Sequence, residues 1–97
     1  MLAFLAVSAI IYSMNSKQQK TLKAIFTRPT SGTIVFADIE SLLVSVGCTK
    51  TEGNGSRVRF DKGEVFFLCH RPHPGKEAKR YQVEDVREFL KKLGVTP

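Results

Sequence analysis

The chain has 97 residues, of which 42% are apolar and 25% are charged. This length accommodates one hydrophobic core and excludes a multidomain enzyme, and the apolar fraction excludes an intrinsically disordered chain. The formal net charge of +6 at pH 7 favours polyanionic partners such as nucleic acids. Cys48 and Cys69 are too few for a disulfide framework, so a reducing, cytoplasmic setting is expected.

The N-terminal segment, residues 1–13, is apolar and carries no charged side chain. It is shorter than the roughly 20 apolar residues that cross a bilayer, and no basic residue precedes it as in a signal peptide. Because Met14 opens a stretch that resembles an ordinary soluble N-terminus, we interpret residues 1–13 as an apolar extension from a misassigned start. A membrane anchor and an extra helical turn are the alternatives. A single domain is then expected over residues 14–97.

Two helices are predicted in the N-terminal half. Good helix formers alternate with apolar residues over Ser16–Phe26, and Pro29 ends the segment. Apolar residues then recur at i, i+3, i+4 and i+7 within Ala37–Val46, and Gly47 stands where a C-terminal cap belongs. The second helix is therefore expected to be amphipathic, with one face in the core.

The middle of the chain changes to the two-residue period of strands. Three strands are predicted, linked by a tight turn at residues 53–55 and by a two-residue turn at Lys62 and Gly63. The second strand should carry a basic outer face, and the third should be buried. The expected bounds of the three strands are Cys48–Glu52, Ser56–Asp61 and Glu64–His70.

The position of the second turn predicts the register of the hairpin. Counting back from it pairs Arg57 with Leu68 and Gly55 with His70, provided that no bulge intervenes. Ser56, at the start of the second strand, is therefore expected near the end of the third strand.

The C-terminal third begins with a basic loop over residues 71–80, where two prolines and a glycine prevent regular structure. A third helix follows, with Glu84 and Asp85 expected in its first turn and Gly94 as its stop. Helices that flank a three-stranded antiparallel sheet define an α+β domain with the helices on one face. The open face of the sheet is the expected functional surface.

Two clusters of side chains carry candidate chemistry. The first, residues 53–60, places Ser56, Arg57 and Arg59 at a turn and on the strand that follows it. Guanidinium ions stay charged and fork over phosphate oxygens, although a solvated basic hairpin is the alternative interpretation. The second, residues 69–74, holds both histidines. An imidazole side chain can accept or donate a proton, so histidines suit general acid or base catalysis on a ribose hydroxyl.

Neither a metal site nor a cofactor is predicted. Cys69 and His70 are consecutive on a strand and point to opposite faces, so regular β geometry does not bring both to one ion. Cys69 is interpreted as a core residue, and the carboxylates outside the basic loop, Glu40 among them, as solvated or capping groups. Glu77, in the basic loop, is kept as a candidate.

The order of these elements and motifs resembles the HicA family of small toxins. The resemblance rests on Gly55-Ser56 before a strand, the His-Arg-Pro-His-Pro stretch at the end of the third strand, and a closing helix that ends in Leu93-Gly94. It covers about residues 33–95. It implies a double-stranded-RNA-binding-domain-like fold, metal-independent cleavage of mRNA, and neutralisation by a HicB-like antitoxin in a hetero-oligomer.

The sequence departs from the family at its most recognisable signature, Gly-Ser-His. Arg57 stands where the histidine is expected, and an arginine, with a pKa above about 12, is no general base near neutral pH. In one interpretation, His70 or His73 transfers the proton while Arg57 stabilises the developing phosphorane charge. In the other, the domain binds RNA or an acidic protein without cutting.

We prefer the first interpretation, a toxin that acts as a metal-independent mRNA endoribonuclease. Its candidate catalytic residues are His70, His73 and Arg57. The residues expected to bind RNA phosphates are Ser56, Arg57, Arg59, Arg71 and Lys76.

Overall fold

The computed structural model of the protein describes residues 13–97. The interpretation of residues 1–13 as a misassigned start therefore lies, apart from Ser13, outside the described residues. Within the described part, no helix has the length and apolar character that crossing a membrane requires. The elements in chain order are helix α1 (Ser16–Phe26), helix α2 (Phe36–Ser45), strands β1 (Thr49–Glu52), β2 (Arg57–Lys62) and β3 (Val65–His70), and helix α3 (Arg80–Lys92).

The three strands form one antiparallel sheet in the order β1-β2-β3. Val58 and Phe60 point from the central strand into the core beside the helices, and Phe67 of β3 stacks on Phe89 of α3 with ring centroids 5.5 Å apart. The predicted α+β class, with helices on one face of a three-stranded sheet, is confirmed. The most deeply buried side chains are Leu22, Ile25, Ile39, Leu42, Leu43, Val46, Val58, Phe60, Val83, Val86, Leu90 and Val95.

The β2–β3 hairpin has a different register from the predicted one. Its turn lies at Gly63 and Glu64, so Arg57 pairs with His70 and its predicted pairing with Leu68 is wrong. Gly63 has a φ of +62°, which suits the first central position of a two-residue turn, where a side chain would be strained. The register shift is two residues, so every side chain stays on its predicted face.

Strand β3 is not buried as predicted. Phe67 and Cys69 pack against the core, whereas Phe66 and Leu68 are 52% and 54% exposed. The run is apolar on both sides, so it carries no alternation from which the exposed face could be recognised. Two large apolar side chains therefore lie on the open face of the sheet.

Helix α3 starts about one turn earlier than predicted, at Arg80. Its first turn contains no acidic residue, so Glu84 and Asp85 lie beyond it. The backbone N–H of Lys79 donates to the Oε1 of Gln82 at 2.9 Å, which satisfies one of the amides at the start of the helix.

Candidate functional site

The open face of the sheet brings together the outward side chains of β2 and β3. Alternation along each strand puts every second residue on this face. Arg57 and His70 are both exposed there and lie directly opposite each other. The other two cross-strand pairs of this face are Arg59 with Leu68 and Asp61 with Phe66.

Ser56 and His70 are in direct contact at one end of this face. The Oγ of Ser56 lies 3.2 Å from the Nδ1 of His70, within hydrogen-bond distance. The backbone N–H of Arg71 donates to the carbonyl of Ser56 at 2.8 Å, so the main chain also joins the two strand ends. The expectation that the start of β2 lies near the end of β3 is confirmed, although the register behind it was wrong.

Gln82 of α3 fixes the position of the His70 backbone. Its buried side chain donates from Nε2 to the carbonyl of His70 at 2.7 Å, and its Oε1 accepts from the Lys79 N–H. No prediction from the sequence included Gln82. Its signal was a glutamine three positions after the residue that caps the helix, a common place for a capping side chain.

Arg71 lies between two carboxylates on the helix side of the sheet. Its guanidinium donates to both oxygens of Glu40 at 2.9 Å and to both oxygens of Glu52 at 2.6 and 2.8 Å. These hydrogen bonds raise the pKa of Arg71 further above its usual value and lower that of Glu52. Glu40 is therefore an ion-pair partner and not the solvated or capping group that its sequence position suggested.

The Glu40–Arg71 pair should show measurable coupling in a double-mutant cycle. The geometry is bidentate, but Arg71 is 33% exposed and solvent screens the interaction, so we expect a coupling free energy of about 1 kcal/mol. Urea unfolding of Glu40→Gln, Arg71→Gln and the double variant gives this quantity.

Glu52 should make the stability of the domain depend on pH. Because its pKa is lowered from 4.5, its contribution to the free energy of unfolding is present above pH 4.5 and is lost as the pH falls through the folded-state pKa.

The exposed Glu88–Lys91 pair of α3 provides the matched control, since its two side chains are about half exposed. Its coupling is expected to be a few tenths of a kcal/mol, as for exposed pairs in helices (about 0.3). A Glu40–Arg71 coupling no larger than this control would contradict a structural role for the pair.

Arg59 is paired as well, but on the open face. Its Nε donates to both carboxylate oxygens of Asp61 at 2.9 and 3.0 Å, which raises the pKa of Arg59. Its guanidinium carbon lies 4.3 Å from the centroid of the Phe66 ring. Beside it, a depression of about 340 Å³ is lined in part by Arg57, Arg59 and Leu68.

Comparison with known protein families assigns the chain to one of them. A family model described as HicA toxin of bacterial toxin-antitoxin matches residues 36–95, from the start of α2 to just beyond the end of α3. The chain belongs to the HicA toxin family. It is therefore the toxin of a toxin-antitoxin pair, and its partner is an antitoxin. No curated protein and no solved structure matched the chain.

The matched region of this HicA toxin includes the basic loop with His73 and Lys76, both of which are exposed. The loop is held at its far end, where the N–H of Phe36 donates to the carbonyl of Lys76 at 2.9 Å. The N–H of Ala78 likewise donates to the carbonyl of Ile34 at 2.7 Å. Of the two histidines, it is His70 that the structure places in contact with Ser56 and opposite Arg57.

The two cysteines of the HicA toxin are free thiols in a partly apolar environment. Burial raises the pKa of both, and that of Cys69 reaches about 11. Neither is therefore poised as a nucleophile near neutral pH. Among residues 13–97, no three His, Cys, Asp or Glu side chains are grouped so that they could hold a metal ion.

The raised pKa predicts slow modification of Cys69. A shift from 9.0 to about 11 leaves about 100-fold less thiolate at pH 8 than an ordinary thiol has, so iodoacetamide should react correspondingly slowly. The reaction is followed by mass spectrometry in a Cys48→Ser background, with the urea-unfolded protein as control. Equally fast labelling of the folded and unfolded chains would contradict the slow modification of Cys69.

Because the pKa of Cys69 is raised in the folded state, the stability of the domain should also fall between about pH 9 and pH 11.

Proposed function

We propose that this HicA toxin binds RNA on the open face of its sheet and cleaves it as a metal-independent endoribonuclease. The proposal rests on the contact between Ser56 and His70, 3.2 Å apart, beside the exposed Arg57. This arrangement supplies an oriented acid-base group and a permanent positive charge at one place on the surface. Because the proposed substrate is mRNA, the proposed location of the reaction is the cytoplasm.

The proposed reaction uses the ribose of the substrate as the nucleophile. His70 accepts the proton of the 2′-hydroxyl through Nε2, and the 2′-oxygen attacks the adjacent phosphorus. The bond from phosphorus to the 2′-oxygen forms, and the bond to the 5′-oxygen breaks. The leaving 5′-oxygen takes a proton from an acid, for which the exposed His73 is the candidate. The products are a 2′,3′-cyclic phosphate and a 5′-hydroxyl.

Ser56 has a defined part in this scheme. For His70 to accept a proton through Nε2, its Nδ1 must carry a proton and donate it in a hydrogen bond to the Ser56 oxygen. The serine hydroxyl can accept this hydrogen bond, so the contact is compatible with the tautomer in which His70 is a base. It also fixes the orientation of the imidazole ring above the strand.

Arg57 and Lys76 are proposed to supply the charge that holds phosphates, since both are exposed. Arg57 lies opposite His70, where its guanidinium can stabilise the negative charge that develops on the phosphorane. Arg59 and Arg71 are each held by carboxylates, so their contribution to phosphate binding should be smaller. This ranking refines the five residues expected from the sequence.

A non-catalytic RNA-binding module is the second candidate function. It is favoured by Arg57, which occupies the position where the family signature has a histidine. In this case the Ser56–His70 contact remains, but the general base of the family is missing.

Cleavage of a fluorescent single-stranded RNA by the full chain in excess EDTA distinguishes the two candidates. If the protein is an endoribonuclease, the parent protein should cut the RNA and leave products with 2′,3′-cyclic phosphate ends. No cutting by the parent but cutting by Arg57→His would identify a binding scaffold with a decayed site. No cutting by either protein would favour a module that only binds.

A further inference from the structure

We infer that Arg59 and Phe66 form a stacking platform for one nucleobase of single-stranded RNA. The inference rests on the proposed RNA binding and names the class of substrate. The guanidinium carbon of Arg59 lies 4.3 Å from the centroid of the Phe66 ring, and Asp61 binds the edge of the group formed by Nε and Nη2 at 2.9 to 3.0 Å. The planar group is therefore fixed by two neighbours on the open face.

The charge balance of this cluster favours a base over a phosphate. Asp61 neutralises Arg59, so a phosphate arriving here would gain little net attraction and would meet a carboxylate. A base has no charge to satisfy and stacks on both aromatic rings and guanidinium planes. Phe66 is 52% exposed and Leu68 beside it 54%, so the platform has an apolar surface that remains open.

The platform is continuous with the proposed catalytic site. Phe66 precedes His70 by four residues on the same strand and face, a distance of roughly 13 Å at the usual strand rise. Leu68, which is opposite Arg59, lies between them on this face, and the depression of about 340 Å³ borders Arg57, Arg59 and Leu68 on the side of β1. An RNA chain whose phosphate lies at His70 and Arg57 can thus place a base further along the chain on Phe66.

This geometry selects single-stranded RNA. In a duplex, each base is stacked between its neighbours and its flat faces are not available to a protein side chain. A base that stacks on Phe66 must be unpaired or at a strand end. The net charge of +6 supplies the general attraction to the backbone, whereas the platform contributes a preference for unpaired bases.

The test measures binding apart from cleavage. Fluorescence anisotropy is recorded with a single-stranded oligonucleotide whose 2′-hydroxyls are methylated, so that it cannot be cut. The full chain carries Phe66→Ala or, as the conservative variant, Phe66→Tyr. We expect Phe66→Ala to weaken single-strand binding about tenfold, Phe66→Tyr to preserve it, and duplex binding to be unchanged in both. The dependence on salt should stay the same, since no phosphate contact is lost.

Val44→Ala is the matched control, because Val44 is a comparably exposed apolar residue that lies on α2, away from the sheet's open face. Thermal unfolding of each variant verifies that it is folded. Unchanged single-strand binding by Phe66→Ala, or an equal loss for duplex and single strand, would overturn the inference and leave the apolar patch to a protein partner.

The failure of this inference and that of the proposed nuclease are separable. Phe66-dependent binding without cleavage by the parent protein would support the platform and reject the nuclease. Cleavage that is insensitive to Phe66→Ala, together with unchanged binding, would support the nuclease and reject the platform.

Discussion

Replacement of His70 by alanine is expected to slow RNA cleavage at least about 100-fold, the usual contribution of a well-placed general acid or base. The imidazole is hydrogen-bonded to Ser56 on one side of the ring, and its backbone carbonyl is held by Gln82. Alanine keeps the backbone contacts and removes the proton acceptor, so kcat should fall with little change in RNA affinity. Single-turnover cleavage in excess EDTA, with anisotropy as the measure of binding, separates the two quantities.

Two further variants make this result interpretable. Ser56→Ala should give a smaller loss and shift the pH profile of kcat, because the hydroxyl orients the imidazole without receiving the substrate proton. His73→Ala should slow the step in which the 5′-oxygen leaves. Full activity in His70→Ala together with loss in His73→Ala would assign the base to the loop histidine and contradict the role given to His70.

Periodicity was sufficient to predict the elements of this fold. Helix α1 has the predicted bounds, and α2 is displaced by one residue. Periodicity did not predict the register of the β2–β3 hairpin, which the tertiary structure shows. The hairpin register depended on whether Gly63 takes the first or second position of a two-residue turn, which composition alone does not distinguish.

The candidate site could be predicted only in part, for a related reason. Ser56 and His70 were brought together by the hairpin, and adjacency of strands is visible in a sequence. The partners of Arg71 could not be predicted from the sequence, since Glu40 is 31 residues away and becomes a neighbour only when α2 packs on the sheet. The same holds for buried Arg87, whose Nε donates to the carbonyl of Ile25 at the end of α1.

The Arg59–Asp61 pair, in contrast, was accessible from the sequence. Two residues separated by one position on a strand share a face, and their opposite charges favour contact. Treating each arginine of β2 as an equivalent phosphate ligand overlooked this neighbour. The distinction matters for function, because it leaves Arg57 as the exposed cation next to His70 and gives Arg59 a different use.

Phe60→Ala should destabilise the domain by about 3 to 5 kcal/mol, the range for removal of a buried aromatic ring. Phe60 is fully buried at the middle of the central strand, where it pairs with Lys50 of β1 and with Phe67 of β3. Loss of the ring leaves a cavity beneath the sheet that these neighbours fill only partly. The free energy of unfolding is measured with urea, and an unchanged slope with denaturant indicates that the unfolded state is the same.

Tyr81→Ala is the matched control, an exposed aromatic ring on α3 whose removal should cost less than about 0.5 kcal/mol. A loss below about 1 kcal/mol in Phe60→Ala would contradict the packing of β2 against the helices. Since a domain of this size is stabilised by only about 5 to 15 kcal/mol, the variant should also reduce the folded fraction on warming. Cleavage per folded molecule should nevertheless persist at low temperature, because Phe60 points away from the face that carries His70.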